Sequence, residues 1–427
     1  MVTGASPGKL GIYGFKNRVD HSYHRRALPS SLSVPLPTLW QLTSEHNLRN
    51  KILTVPQTYP ARPLKGQLVA GFPIPDMNGP VSYPRNLWGA LQNEVPSFQI
   101  DLEDFRHTHP SQVYTDVIEM THSRFKVAER WLKASDWDFF MMVEMGPDRL
   151  HHALWSFCDP QHPSFDPQHP LATAIEDYYK LLDKKLKALL SSLSKDDLLL
   201  VVSDHGAQRM TGGLALNQWL VDEGYLTLSN SHPKKGPLLL EQVDWTNTRA
   251  WADGGYVGRI YFNIKGREPK GSVPQEQIES LTREITTKLN KLRGEQNEDL
   301  LIETLNPEQA YGSDRRGVPP DLTLLIQNMS YRVLGTLGHP KYMTRENDTG
   351  SDGANHARDG IVIATGPKIL PAHRLDLSIY DIAPTVLRHL KVPLPAYMKG
   401  IPIECNRIEK PFIGTDSQQV AVQLALP

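Results

Sequence analysis

The segment Leu198-Leu199-Leu200-Val201-Val202-Ser203-Asp204-His205-Gly206 has five apolar residues in a row, followed within a few positions by an aspartate, a histidine and a glycine. An apolar run this short predicts a strand buried on both faces, as in a parallel sheet covered by helices. Ligand sites in open α/β sheets lie at the carboxyl ends of the strands, so Asp204 and His205 are well placed to bind a ligand. The alternative is a turn in which Asp204 caps a helix and His205 is solvated or hydrogen-bonded.

A second apolar run is also followed by an aspartate and a histidine. Residues 137–144 are followed by Met145-Gly146-Pro147-Asp148-Arg149-Leu150-His151-His152. If Pro147 opens a helical turn, the four-residue spacing of Asp148 and His152 places both side chains on one face of the helix.

A third histidine precedes an apolar run. Asp352-Gly353-Ala354-Asn355-His356 comes just before the predicted strand 360–367, so we expect His356 to lie on a glycine-containing loop. Carboxylate oxygens and imidazole nitrogens without thiolates suit zinc, manganese or iron, and such a set can leave coordination positions open for a substrate. Aspartate and histidine residues thus lie next to three predicted strands, which favours a metal site over three unrelated turns.

Length and composition restrict the class of protein. The chain has 427 residues, enough for one large α/β domain with insertions or for two domains. A net charge of −1 provides no basic surface, so nucleic acid is not an expected partner. Cys158 and Cys405 form no paired metal motif, which fits a reducing compartment. No apolar run approaches the roughly 20 residues that span a bilayer, and the first residues lack a signal-peptide core. We therefore expect a cytoplasmic protein with no membrane partner.

The pattern along the chain predicts an interrupted core. Residues 21–104 are rich in proline and aromatic residues and predict a loop-rich insertion, which either packs over the core or forms a lid. Residues 231–317 predict a smaller subdomain, and the core is expected to comprise residues 1–20, 105–230 and 318–427. Apolar periodicity predicts helices at 115–133, 171–193, 274–293 and 378–390, and a short helix at 212–220.

One predicted helix and one sequence repeat lie between the segment that ends at His152 and the strand that begins at Leu198. In residues 171–193, six apolar side chains share one helical face: Ile175, Tyr178, Tyr179, Leu182, Leu186 and Leu189. Asp-Pro-Gln-His-Pro occurs twice before this helix, at 159–163 and 166–170. His162 and His169 are candidate ligands, but histidines between prolines in loops are more often surface residues.

Four motifs together resemble the alkaline phosphatase superfamily. They are Val-Val-Ser-Asp-His-Gly at 201–206, Gly-Pro-Asp-Arg-Leu-His-His at 146–152, Asn-His-Ala-Arg-Asp-Gly-Ile at 355–361 and Ser-Ile-Tyr-Asp-Ile-Ala-Pro-Thr at 378–385. Within it, the chain is most similar to the type I phosphodiesterase/nucleotide pyrophosphatase group and its predicted phosphohydrolase and phosphomutase relatives. The resemblance implies an α/β fold, with a largely parallel sheet sandwiched by helices, a loop-rich inserted cap and a smaller α/β subdomain.

The resemblance also implies the site residues and the cofactors. Asp148, His152 and His356 would hold one divalent metal ion, while Asp204 and His205 would hold a second. Zinc is the expected metal, with manganese and iron as alternatives. In the family, a threonine or serine nucleophile forms a covalent phosphoryl intermediate, which water then hydrolyses.

The chain departs from the family pattern at its start. Family members begin with a strand that ends in a metal-binding aspartate, followed by the nucleophile, and both precede a segment that resembles Thr3-Gly4. We therefore expect the nucleophile and this aspartate upstream of Met1, and no catalytic residue is assigned within the chain. Thr3 or Ser6 could replace the nucleophile, but Thr3-Gly4 is more simply a loop anchor.

The expected function is metal-dependent hydrolysis of a small phosphorylated substrate, either a phosphate monoester or a diester. The alternatives are a phosphomutase of the same superfamily and a non-catalytic metal-binding remnant. A sulfatase is disfavoured because neither Cys158 nor Cys405 lies in the Cys-x-Pro-x-Arg context that sulfatases modify.

Overall fold

The computed structural model describes residues 1–229, 234–345, 347, 350, 352–367, 369 and 376–403. Cys405 lies outside the described residues. The helices are α1 (Pro7–Leu10), α2 (Leu39–Glu45), α3 (Leu87–Glu94), α4 (Pro110–Lys133), α5 (Gly146–Cys158), α6 (Ala174–Leu190), α7 (Leu216–Asp222), α8 (Ile278–Leu289), α9 (Pro307–Tyr311) and α10 (Ile382–His389).

The strands of the described residues are mostly short. They are β1 (Asn17–Arg18), β2 (Arg26–Ala27), β3 (Asn50–Val55), β4 (Gly66–Ala70), β5 (Ser82–Tyr83), β6 (Phe139–Met142), β7 (Leu199–Val202), β8 (Gly206–Arg209), β9 (Gly212–Ala215), β10 (Gly236–Pro237), β11 (Ala250–Asp253), β12 (Gly258–Phe262), β13 (Ile302–Leu305), β14 (Leu322–Ile326), β15 (Tyr331–Leu334), β16 (Thr336–Leu337), β17 (Met343–Thr344), β18 (Ala354–Ala357) and β19 (Val362–Thr365).

The chain divides into two compact units. The first unit comprises Met1–Ala5, Pro29–Gly206 and the described residues from Asp359 onward. The second unit comprises Ser6–Leu28 and Ala207–Arg358. The division into a core, an insertion at 21–104 and a subdomain at 231–317 stays a prediction.

The first unit contains a four-stranded sheet in the order β5-β4-β3-β6. Strand β3 runs parallel to both of its neighbours, with Ile52 opposite Leu68 on β4 and Met141 on β6. All six residues of β3 are buried, as expected for a parallel strand that is covered on both faces. The predicted α/β class is confirmed, and β3, β4 and β6 of this sheet run parallel to one another.

Residues 21–104 contain more regular structure than their pattern predicts, since β3 and β4 both lie within them. Half of the residues of β3 are polar, namely Asn50, Lys51 and Thr54, which weakens the strand signal. The Lys51 side chain is nevertheless only 4% exposed, and its ammonium pairs with Asp136 and donates a hydrogen bond to the Trp131 carbonyl oxygen at 3.2 Å. A buried lysine needs such partners, and the sequence pattern does not reveal them.

Strand β7 exists as predicted, but its surroundings differ from the prediction. It pairs with β19 in an antiparallel ribbon, with Val201 opposite Ile363, and these two strands form a separate sheet within the described residues. All four residues of β7 are only partly buried, and Ile363 is 56% exposed. The expectation of a fully buried strand with parallel neighbours is therefore wrong, because an apolar run carries no information about the direction or number of its partners.

Helices α4 and α6 confirm the amphipathic patterns. Phe125 and Trp131 of α4 and Leu189 of α6 pack in one hydrophobic cluster with Leu53 and Val69 of the sheet. Tyr179 departs from the predicted apolar face of α6, because its side chain is 43% exposed. None of the helices in the described part of the chain combines the length and hydrophobicity needed to cross a bilayer.

Within the described residues, the second unit contains a mixed sheet in the order β11-β12-β14-β15-β9-β17, with β13 paired to β14. The segment Gly212–Ala215 forms β9, which runs parallel to β15, so the predicted helix at 212–220 begins only at Leu216. Helix α8 confirms the helix predicted at 274–293. It buries Leu281, Ile285 and Leu289, which are spaced one helical turn apart, in the core of this unit.

Candidate metal centre

Helix α5 carries Asp148 and His152 in the geometry that their spacing predicts. Pro147 lies in the first turn, where its missing N–H costs no hydrogen bond, and the Asp148 carboxylate is stabilised by the positive end of the helix dipole. The His152 Nε2 atom lies 3.4 Å from the Asp148 Oδ1 atom. The side chain of His152 is only 2% exposed, so its imidazole is held in one place.

Three side chains anchor the start of α5. The Glu144 Oε1 atom accepts a hydrogen bond of 2.9 Å from the Gly146 backbone N–H and one of 3.0 Å from the Arg124 Nη1 atom. The buried Tyr178 hydroxyl lies against Gly146, where a side chain would not fit. Burial raises the pKa of Tyr178, and the Glu144 carboxylate raises it further, so the phenol stays protonated.

The turn after β7 brings Asp204 and His205 to the same region of the first unit. The His205 Nε2 atom lies 3.9 Å from the Asp148 Oδ1 atom and 3.8 Å from the Asp204 Oδ1 atom. The His205 Nδ1 atom lies 2.9 Å from the Gly206 carbonyl oxygen. A carbonyl oxygen can only accept, so Nδ1 carries a proton, and in the neutral imidazole Nε2 is the nitrogen with the lone pair.

The donor set of the first unit fits a divalent metal ion. Two ligands bound at 2.0–2.2 Å in tetrahedral geometry lie about 3.4 Å apart. The separation between His152 and Asp148 matches this value, and the His205 Nε2 atom lies slightly farther from the same carboxylate. Asp204 is 72% exposed and faces solvent more than the other three residues do. Four of the five predicted ligands therefore gather within one unit.

His356 belongs to the second unit and lies on strand β18, so the predicted loop position is wrong. Its imidazole stacks on the Tyr256 ring, with the two centroids 3.9 Å apart, and the residue is 7% exposed. Its carbonyl oxygen accepts a hydrogen bond of 2.9 Å from the Gln208 Nε2 atom, and its N–H donates to the Asn355 Oδ1 atom. The hydrogen bonds fix the His356 backbone, and the stacking on Tyr256 restricts its ring.

Sequence reasoning missed Arg149 and Asp101. The Arg149 guanidinium donates to both oxygens of the Asp101 carboxylate and to the Asp148 Oδ2 atom. Arg149 adjoins a predicted ligand in the chain, which is the only local signal of its role. Asp101 lies 48 residues earlier, and its neighbours carry no recognisable motif.

The other hydroxyl and imidazole candidates have local structural roles. The Thr3 Oγ1 atom accepts a hydrogen bond from the Ala5 N–H at 3.3 Å, and Ser6 caps α1 by accepting from the Lys9 N–H at 3.4 Å. The repeated Asp-Pro-Gln-His segments fold into the same turn twice, in which the Nδ1 atoms of His162 and His169 each accept a backbone N–H at 3.2 Å. The Nδ1 atom of each histidine is therefore used within the turn that contains it.

The comparison with protein families places this chain, with its α/β fold, among the phosphoric ester hydrolases of the alkaline phosphatase superfamily. The family model for type I phosphodiesterase/nucleotide pyrophosphatase matches residues 1–355, and the chain belongs to this family. A comparison with curated proteins finds no match. The family match includes Asp148, His152, Asp204 and His205 and ends one residue before His356.

Proposed function

We propose that this chain is a hydrolase of small phosphate monoesters or diesters. It would use two divalent metal ions, and zinc is the metal that we expect. Asp148, His152 and His356 are the proposed ligands of one ion, and Asp204 and His205 those of the other. The single observation that carries the proposal is the approach of the His152 and His205 Nε2 atoms to one oxygen of Asp148.

The proposed ligands are held by contacts that suit metal binding. In the neutral His205 ring, the contact of Nδ1 with the Gly206 carbonyl oxygen leaves Nε2 as the nitrogen available to a metal ion. His152 is buried, and His356 is stacked on Tyr256. Two cations held by these residues would supply positive charge to the phosphoryl oxygens and would activate an attacking group. The cytoplasmic location expected from the sequence stays a prediction.

Measurements of metal content and of turnover together test this proposal. The purified 427-residue chain is assayed for bound zinc, manganese and iron, and for hydrolysis of p-nitrophenyl phosphate and bis-p-nitrophenyl phosphate. Asp148→Ala is compared with Asp183→Ala, which removes an exposed carboxylate from α6. We expect Asp148→Ala to lose its metal and any turnover that the wild-type chain shows, and Asp183→Ala to behave as the wild type does.

Each other result contradicts a defined part of the proposal. A chain that binds no divalent metal would refute the metal site. Turnover that survives in Asp148→Ala would refute the role of that carboxylate. Bound metal without turnover of either ester would contradict hydrolysis by this chain alone and would agree with the expectation that it contains no nucleophile. Transfer of a phosphoryl group between positions of one substrate would favour the phosphomutase.

A further inference from the structure

The Arg149 side chain joins two carboxylates in the first unit. Its Nε atom donates to the Asp101 Oδ1 atom at 2.9 Å, its Nη2 atom donates to Asp101 Oδ2, and its Nη1 atom donates to Asp148 Oδ2. The exposed fractions are 8% for the Arg149 side chain and 11% for that of Asp101. Hydrogen bonds between ionised groups are stronger than neutral ones, and the two-pronged contact with Asp101 fixes the guanidinium plane.

Two aromatic rings further restrict this guanidinium. The Arg149 Cζ atom lies 4.8 Å from the centroid of the Phe105 ring and 5.4 Å from that of Phe72. Cation–π contacts at partly desolvated sites are favourable, and they oppose rotation of the guanidinium. The Phe105 ring also lies 6.4 Å from the His152 ring, so this environment adjoins a proposed metal ligand.

A second buried arginine holds the segment that contains Asp101. The Arg124 side chain is fully buried, and its Nη2 atom donates to the Ile100 carbonyl oxygen at 2.7 Å. Its Nη1 atom donates to Glu144, whose carboxylate also accepts the Gly146 N–H at the start of α5. The backbone before Asp101 and the start of the helix that carries Asp148 are therefore tied to one guanidinium.

The two carboxylate oxygens of Asp148 contact different partners. Oδ2 accepts from Arg149, while Oδ1 faces the Nε2 atoms of His152 and His205. Without Arg149, either oxygen could turn toward the imidazoles. Groups that hydrogen-bond to metal ligands orient them and commonly change metal affinity by about 10- to 100-fold.

We propose that Arg149, held in place by Asp101, is a positioning residue that aims one oxygen of Asp148 at the metal. This inference rests on the proposed function, because it requires Asp148 to bind a metal ion. Asp101 belongs to the loop between α3 and α4, so this loop is part of the metal centre although it contributes no ligand.

Cobalt binding tests the proposal without relying on turnover. The affinity for Co²⁺ is measured by titration calorimetry, and the visible absorption spectrum of the bound ion reports its coordination. Arg149→Met and Asp101→Asn are each expected to weaken Co²⁺ binding by about 10- to 100-fold and to change the spectrum. Arg149→Lys is expected to recover only part of the loss, because an ammonium group cannot form the two-pronged contact.

Asp136→Asn is the matched control, since it removes a carboxylate that pairs with the buried cation of Lys51 elsewhere in the same unit. We expect this variant to bind Co²⁺ as the wild type does. Circular dichroism checks that each variant is folded, and the isosteric Asp101→Asn decides the outcome if Arg149→Met unfolds. Wild-type affinity and spectrum in folded Asp101→Asn and Arg149→Lys would overturn the positioning role alone. A wild-type chain that binds no Co²⁺ would overturn the proposed function as well.

Discussion

A Cβ atom added to Gly146 would lie 1.9 Å from the Tyr178 hydroxyl oxygen. Tyr178 is fully buried, and its hydroxyl shares a hydrogen bond of 2.8 Å with the Thr121 Oγ1 atom, so it has no free space in which to move away. The first residue of α5 is therefore restricted to glycine by its contact with α6. Because Asp148 follows two residues later, this contact also helps to set the position of a proposed metal ligand.

Gly146→Ala is expected to destabilise the protein by about 1–3 kcal/mol, because overpacking a filled site forces neighbouring groups to shift. Gly89→Ala is the control, since a Cβ there meets no atom of the described residues within 4 Å outside its own helix. It should be stabilising by about 0.5–1 kcal/mol through helix propensity. Urea denaturation measures both changes, and equal stability of the two variants would contradict the predicted clash.

The neighbouring histidines of α5 should differ in their effect on metal binding. His152→Ala removes a proposed ligand, so the loss of affinity should exceed the roughly 10- to 100-fold typical of residues that only orient ligands. His151 instead lies 3.2 Å from the Tyr179 hydroxyl and is not a proposed ligand. His151→Ala should therefore keep its metal. Metal content after dialysis and Co²⁺ titration distinguish the two variants, and equal losses would indicate a general effect on the helix.

The buried ion pair of the second unit should be important for stability. The side chains of Arg18 and Glu268 are both fully buried, with 3.2 Å between the Arg18 Nη2 and Glu268 Oε1 atoms. Arg18→Met removes one of two guanidinium partners of this carboxylate, because the Arg267 Nε atom also donates to Glu268 Oε2 at 2.9 Å. Breaking a buried pair typically costs about 3–5 kcal/mol when the remaining charge is uncompensated, so we expect a smaller loss that still exceeds that of an exposed pair.

Arg25 provides the comparison for this prediction. It pairs with Asp20 in the same segment, but its side chain is 66% exposed, and exposed pairs contribute about 0–1 kcal/mol. Chemical denaturation of Arg18→Met and Arg25→Met should therefore give clearly different losses. If Arg18→Met costs no more than Arg25→Met, the Arg18 pair does not contribute as its burial predicts.

Asp136 should make stability depend on pH in the acid range. The hydrogen bond from Lys51 lowers the pKa of Asp136 below its ordinary value of 3.8. A carboxyl group whose pKa is lowered by folding stabilises the protein above its unfolded pKa, and this contribution disappears as the pH falls through the folded pKa. The free-energy difference between wild type and Asp136→Asn should thus be fully present at pH 6 and should decrease as the pH falls below 3.8. Denaturation curves across this pH range measure it, and a difference independent of pH would contradict the assignment.

Local patterns predicted much of the site. The motif 146–152 indicated both the start of α5 and the shared face of Asp148 and His152, because helix capping and the 3.6-residue period act over a few residues. The segment around His356 was harder to interpret, because the glycine before it indicates a loop while the chain forms β18. Strand formation depends on a partner distant in the sequence, so a local pattern cannot decide it.

The amino-acid sequence by itself determined the α/β class, the amphipathic helices and the residue types available for a metal. Only the tertiary structure brought the His205 Nε2 atom to 3.9 Å from Asp148 and joined Arg149 to Asp101 across 48 residues. It also decided that β7 pairs antiparallel with β19. The physical reason is that helix periodicity and capping are local, whereas strand partners and buried charge pairs depend on which distant segments pack together and exclude water.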